Sequence, residues 1–271
     1  YIKKPEGIRV AKMFGCDNYT NIEKAIVANV SATNELNSNG FSLGYSFDNP
    51  KHISTGEVDH NSFYPVVIAA SHMNPKIDGM TVLKAMILLD EIRGRLDETF
   101  NIIKSGLDLA IFGGLASTIV YGALLEATPE QIEHAIRMII CHYVPWRAVR
   151  SGIYELSDSL SCSSAFTTEM GILAMNRVLD NFKGPEVDLP PQELKLTTSG
   201  DNFSITGMHF RFGWYASLSA GAIYSLVNIL LENPEIFENY DYDDIMTIRV
   251  RTFTRAYEML GKFPRSDSPT N

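Results

Sequence analysis

Ile111-Phe112-Gly113-Gly114-Leu115-Ala116-Ser117-Thr118-Ile119-Val120-Tyr121-Gly122-Ala123-Leu124-Leu125 contains no charged residue and is rich in Gly, Ala and Ser. Small side chains let helix backbones approach closely, since the distance between packed helices is set by the residues at the contact. The segment is therefore expected at the buried centre of a helical bundle, and the rest of the chain should supply its neighbours.

Those neighbours can be read in order. Asn21 to Leu36 predicts a helix with Asn21 as N-cap and Ile22, Ala25, Ile26, Val30 and Ala32 on its inner side. Phe63 to Met73 predicts a second, with Pro65 in its first turn. Met80 to Phe100 is long and amphipathic; Leu83, Met86, Ile87, Leu89, Ile92 and Leu96 are expected inward, and Asp90, Glu91, Arg93, Arg95 and Asp97 mostly outward. Thr128-Pro129-Glu130-Gln131 combines an N-cap, Pro at N1 and a capping-box Gln, and starts a helix that runs to about Tyr143. Ser163 to Asn181 gives one more, stopped by Lys183-Gly184-Pro185. Beyond Pro190-Pro191 the pattern changes: Leu194 to Ser199 and Phe203 to Phe212 read as extended, Tyr215 to Leu231 as helical, and Ile245 to Thr254 alternates as a strand does. The expected organisation is a mainly α protein, with a helical domain over 1–190 and part of a smaller α+β lid domain over 191–271.

Composition bounds the function. The 271 residues are 45% hydrophobic and carry a net charge of −9, enough apolar content for a sizeable core. With a pI near 5.2, the chain does not read as a nucleic-acid binder or a protein of anionic membrane surfaces, both of which select basic patches. No window approaches the roughly 20 apolar residues of a membrane span. Cys16, Cys141 and Cys162 lie far apart, supporting neither a disulfide framework nor a cysteine metal site. His134 and His142 lack the spacing of a zinc helix, and Gly113-Gly114 lacks the Lys-Ser/Thr of a phosphate loop. No metal or cofactor is expected. An intracellular setting follows, in the cytoplasm or the mitochondrial matrix. The start at Tyr1 and the end at Asn271 both read as mid-loop, as in a processed chain or a fragment.

The polar residues that stand out lie in connections between helices. His60, in Gly56-Glu57-Val58-Asp59-His60-Asn61-Ser62-Phe63-Tyr64-Pro65, follows two carboxylates and precedes a helix N-terminus. It reads either as a general base or substrate ligand, or as an ordinary surface or packing histidine. Glu35 and Asn39 share a face if the first helix continues through them; otherwise they belong to a solvated helix end. Arg147 and Arg150 flank a turn beside Trp146 and can grip carboxylates bidentately, or form a solvated basic turn. Ser157 to Ser164 reads as a helix cap, there being no nucleophile elbow. His209 and Arg211 would face one side of a strand, as a lid cation or on a solvated sheet face.

With these residues in view, the chain resembles the MmgE/PrpD family, which includes 2-methylcitrate dehydratase, cis-aconitate decarboxylase and iminodisuccinate epimerase. The likeness runs from about Ile8 to Ser268. It includes the Ala32-to-Gly40 helix end, Gly56 to Pro65, Asp90-Glu91-Ile92-Arg93-Gly94-Arg95, Tyr121 to Leu125, and Thr198 to Ala222. The resemblance implies a large helical domain and a smaller lid, a homodimer or a complementing chain, no metal, and proton abstraction next to a carboxylate of a di- or tricarboxylic acid. On that alignment His60 matches the active-site histidine, Glu35 falls where many members have the first Asp of an Asp-rich helix end, and Asn39 where they have a Thr or Asp. Arg147 and Arg150 match the paired arginines of dehydratase-type members, and Arg211 falls near a lid lysine.

Departures accompany the match. Leu107 to Phe112 has no histidine where many members carry one, Ser157 to Leu160 has no lysine, and Tyr215 to Ser217 has no lid histidine. Two readings follow: a lyase-like enzyme, 2-methylcitrate dehydratase-like in the first instance with decarboxylase or epimerase variants, or a homologue that has lost catalysis and binds a carboxylate or a partner subunit.

Overall fold

The small-residue segment is a central helix of the structure, a computed structural model that describes residues 9–35, 40, 60–100, 102, 105–143, 145–146, 162–187, 196, 203–208, 219–235, 247 and 249–252. Its order begins β1 (Val10–Lys12), β2 (Tyr19–Asn21), α1 (Ile22–Asn34), α2 (Tyr64–Met73), α3 (Gly79–Thr99) and α4 (Ala110–Leu124). It continues through α5 (Pro129–His142), α6 (Ser163–Leu179) and α7 (Ala220–Glu232), with 3-10 turns at His60–Phe63 and Ser204–Gly207. Seven α-helices and one two-stranded antiparallel sheet among the described residues make the protein mainly α, as expected. The described residues fall into two compact units, 9–146 with 162–208, and 219–252.

Every residue of α4 from Ala110 to Thr118 is buried. Its glycines set the spacing to its neighbours: a methyl group built at Gly114 would overlap Thr167, and one at Gly171 would overlap the Thr118 hydroxyl. That hydroxyl is turned back to the Gly114 carbonyl at 2.8 Å, so its own hydrogen bond is met within the helix. Matching pairs 114 with 167, 118 with 171 and 122 with 175 shows that α4 and α6 run parallel.

Helix boundaries follow local chemistry. The Asn21 side chain accepts the Glu23 N–H at 3.1 Å, and Asp78 accepts that of Thr81 at 2.8 Å; the Thr81 side chain first, and then this N–H, hold the Asp78 carboxyl below the usual range. Thr128 and Gln131 form the reciprocal capping box, at 3.2 and 2.9 Å. The stop of α6 comes earlier than Lys183-Gly184-Pro185: Asn181 adopts a positive φ of 67°. Its N–H reaches the Val178 carbonyl at 2.9 Å and the Phe182 N–H that of Arg177 at 2.9 Å, a Schellman ending with Asn in the left-handed position.

Several expectations are corrected. Ala32 is exposed, whereas Asn29 and Asn34 are buried; the helical repeat from Ile22 and Ile26 passes through 29, 30, 33 and 34 and leaves 32 outside. Asn29 is inside because its amide ties down the N-terminal hairpin, accepting from the Phe14 N–H at 2.7 Å and donating to the Lys12 carbonyl at 3.0 Å. On α3 Leu89, Ile92 and Leu96 are buried as expected, but Leu83 and Ile87 are exposed, and Asp90, Glu91, Arg93 and Asp97 are buried. Arg95 is partly buried. Phe203 to Met208 is a 3-10 turn with its flanks rather than a strand, and residues 247 and 249–252 form no strand. Ser163 is the first residue of α6 and Cys162 its N-cap, with no side-chain capping bond, so the capping read at Ser163 and Ser164 is absent; Ser157 to Ser161 lie outside the described residues. In the second unit, α7 is apolar yet has no buried residue.

Candidate functional site

Helix directions gather the connections of interest at one end of the bundle. Phe63 meets Gly113 near the start of α4, and the Asn74 side chain meets the Leu124 carbonyl at its end, so α2 also runs parallel to α4. The intervening helices α1, α3 and α5 run the other way. The starts of α2, α4 and α6 therefore lie at the same end as the ends of α1, α3 and α5. The described residues that flank three long connections, Glu35 and His60, Thr99 and Ala110, and His142 and Ser163, lie at this end. Three helix N-termini placed together favour negative charge there.

The start of α4 is tied to the third connection. Leu107 pairs with Trp146 in an antiparallel bridge, and the Asp108 N–H donates to the Pro145 carbonyl at 3.0 Å. Gly106 takes a positive φ of 74°, and a methyl group built on it would stand 3.9 Å from the Trp146 ring. The Asp108 carboxylate accepts the Ala110 N–H at 2.9 Å and so serves the first turn of α4. The residue before Arg147 is thereby fixed beside that helix start, although Arg147 itself lies outside the described residues.

His60 opens the 3-10 turn that leads into α2, and the three residues from Ser62 on are each seated on a different element. The Ser62 hydroxyl donates to the Asn34 side chain at the end of α1, both groups being buried. The Phe63 ring fills the space over Gly113 and lies under the Arg93 guanidinium, 4.3 Å from its centroid. The Tyr64 hydroxyl donates to Asp90 Oδ2 at 2.5 Å. Burial, then the adjacent Asp90 charge and this hydrogen bond, push the Tyr64 hydroxyl well above the usual tyrosine range, so it stays protonated as a donor.

Beneath the turn lies the charged half of α3. Asp90 (0% exposed) is also met by Arg93 Nη1 at 3.4 Å, and Arg93 is 1% exposed. The Glu91 carboxylate takes Arg95 Nε at 2.8 Å on one oxygen and the buried Ser204 N–H at 2.7 Å on the other, tying the Ser204–Gly207 turn to α3. Buried charges persist where each is partnered. This cluster was missed in the sequence because amphipathic averaging ranks any charge as outward. The spacing did carry a signal: Asp90 with Arg93 and Glu91 with Arg95 are at helical contact distances.

The remaining sequence candidates are placed as follows. Glu35 is the exposed C-cap of α1, directly after the Asn34 that holds the His60 turn. For His60 the backbone is described, and the description of side chains in this turn begins at Asn61. Asn39, Arg147, Arg150, His209 and Arg211 lie outside the described residues. Of the proposed set, the structure thus brings together the end of α1 with Glu35 and the His60 turn. No described helix is long and apolar enough to cross a membrane.

A bundle of alternating helices that brings the flanks of its long connections to one end is a scaffold on which loops can build a small-molecule site. The family model for the MmgE/PrpD N-terminal domain matches residues 1–196. The chain belongs to the MmgE/PrpD family, which includes lyase-type enzymes and has an often dehydratase-like role. No match to this chain was found among curated proteins.

Proposed function

We propose that the protein is a lyase acting on a small di- or tricarboxylic acid by proton abstraction next to a carboxylate, with dehydration of a 2-methylcitrate-like substrate as the first candidate reaction. His60 is the general base or acid, Glu35 and Asn39 position the substrate or a water, and Arg147, Arg150 and Arg211 grip the carboxylates. The observation that carries this reading is the His60 turn itself: it is joined to the Glu35 end of α1 through Ser62 and Asn34, at the end of the bundle where three helix N-termini favour an anion. Proton removal next to a carboxylate builds negative charge on carbon, and cations around the carboxylate stabilise it.

The test is turnover by the full-length protein of methylcitrate, citrate and cis-aconitate, following unsaturated product in the ultraviolet and loss of carbon dioxide separately. His60→Gln is expected to lower kcat by about 10²- to 10⁴-fold with binding retained. An active His60→Gln variant would overturn the assignment of the base, and carbon dioxide release would move the reaction to decarboxylation. Epimerisation would appear as inversion with neither product.

A second reading is favoured by the segment before α4. Leu107 to Leu109 offers no histidine, and the Asp108 carboxylate there is engaged with the Ala110 N–H. A homologue lacking that acid/base partner would bind carboxylates, or a partner subunit, without converting them. Retained binding by calorimetry with no turnover of any of the three acids would establish that reading in place of the first.

A further inference from the structure

The His60–Phe63 turn does not hold itself. A 3-10 turn has poorer hydrogen-bond geometry than an α-helix and is easily deformed, and Phe63, the N-cap of α2, makes no side-chain capping bond. What fixes it are contacts at three consecutive residues, on α1, α4 and α3 in turn: Ser62 to Asn34, Phe63 to Gly113 and Arg93, and Tyr64 to Asp90. The polar members are not cheap substitutes for packing. Ser62 and Asp90 are fully buried, and a buried ion pair such as Asp90 with Arg93 generally adds no more stability than apolar residues of the same shape. Its directional bonds do something apolar contacts cannot, which is to fix one rotation of the turn about the helix it precedes.

We propose that Asn34, Tyr64 and Asp90 are positioning residues for His60. Asn34 holds the turn through Ser62, and Asp90 holds it through the Tyr64 hydroxyl. Arg93 orients Asp90 and caps the Phe63 ring. The inference rests on the reading of His60 as the acid/base group, and it adds that the backbone of this residue is set from below by α1 and α3. Gly113 is part of the same device, because any side chain there would displace Phe63.

The experiment uses histidine-labelled full-length protein and the mild variants Tyr64→Phe and Ser62→Ala, each removing one hydroxyl. The chain has six histidines, and the imidazole signal lost in His60→Gln identifies His60 by NMR. In both variants that signal and its titration midpoint are expected to move while the other imidazole signals stay in place. The kcat on whichever acid is turned over should fall by about tenfold to a hundredfold with KM within about twofold, as expected when a group is misplaced rather than lost. An unmoved His60 signal in both variants overturns the proposal, whatever happens to kcat. If His60→Gln keeps wild-type turnover, the catalytic reading fails on its own, and the NMR signal still decides whether the turn is positioned by these residues. Should one variant fail to fold by circular dichroism, the other decides alone, since the two act through different helices.

Discussion

Glu169 on α6 stands near Glu23 on α1, and desolvation followed by the Glu23 charge raises its carboxyl above the ordinary glutamate value of 4.5. A raised folded value means that the folded protein holds this proton more tightly than the unfolded chain. The contribution of Glu169 is therefore favourable below the unfolded pKa and is lost as pH rises through the folded one. Glu169→Gln should stabilise the protein at pH 8 by roughly half a kcal/mol after solvent screening, and not at all near pH 4. Thermal melts of both proteins at the two pH values check this, and an equal difference at both would contradict it. Individual residues of this kind were the least legible from sequence. Asp90, Glu91 and Arg93 were assigned outward because a charge is exposed unless a partner is known, and the partners Tyr64 and Ser204 are distant in the chain. His60 was legible as a polar residue at a helix mouth; Asn34 and Ser62, which hold its turn, carried no pattern that marks a buried pair.

Elements were legible where their signals are local. The capping box of α5, the Asn21 cap of α1, Pro65 at the start of α2 and the small-residue surface of α4 depend on residues within a few positions of one another, and each lies where expected. Because both capping-box bonds are present, Thr128→Ala should cost about 1 kcal/mol, with the loss confined to the first turn of α5. Hydrogen exchange of the amides at 130–132 is the direct measurement; unchanged protection there would mean that the tertiary contacts of α5, not its cap, hold that end. What failed at this scale failed for want of local signal. The β1–β2 hairpin has three-residue strands held by Asn29 from α1 and by contacts to α2. The expected strand through Phe203 instead bends into a turn because the buried Glu91 carboxylate draws in the Ser204 N–H.

At the scale of the molecule, the end of the bundle opposite the candidate site carries two polar groups. Arg9 grips Asp180 with two bonds of 3.1 and 2.8 Å. The Tyr121 hydroxyl donates to Asn176 at 2.9 Å, and the Asn176 amide donates to Glu23 at 2.8 Å, so α1, α4 and α6 meet at a single side chain. Asn176 is 5% exposed and Tyr121 fully buried, and burial first of all pushes the Tyr121 hydroxyl above the usual range, keeping it a donor that needs an acceptor. Asn176→Leu, of similar volume, leaves that hydroxyl without an acceptor and Glu23 without a donor, and should lower stability by about 2–4 kcal/mol. Adding Tyr121→Phe removes the stranded hydroxyl, so the double variant should recover about 1 kcal/mol relative to Asn176→Leu alone. Urea denaturation followed by circular dichroism measures both. Recovery in the double variant would show that the cost is an unmet hydrogen bond at the junction of three helices, whereas equal midpoints for the single and double variants would mean that the loss is one of packing. Because the junction lies away from the His60 turn, kcat should be unchanged in every variant that remains folded, which separates the group that holds the bundle together from the one proposed to aim its histidine.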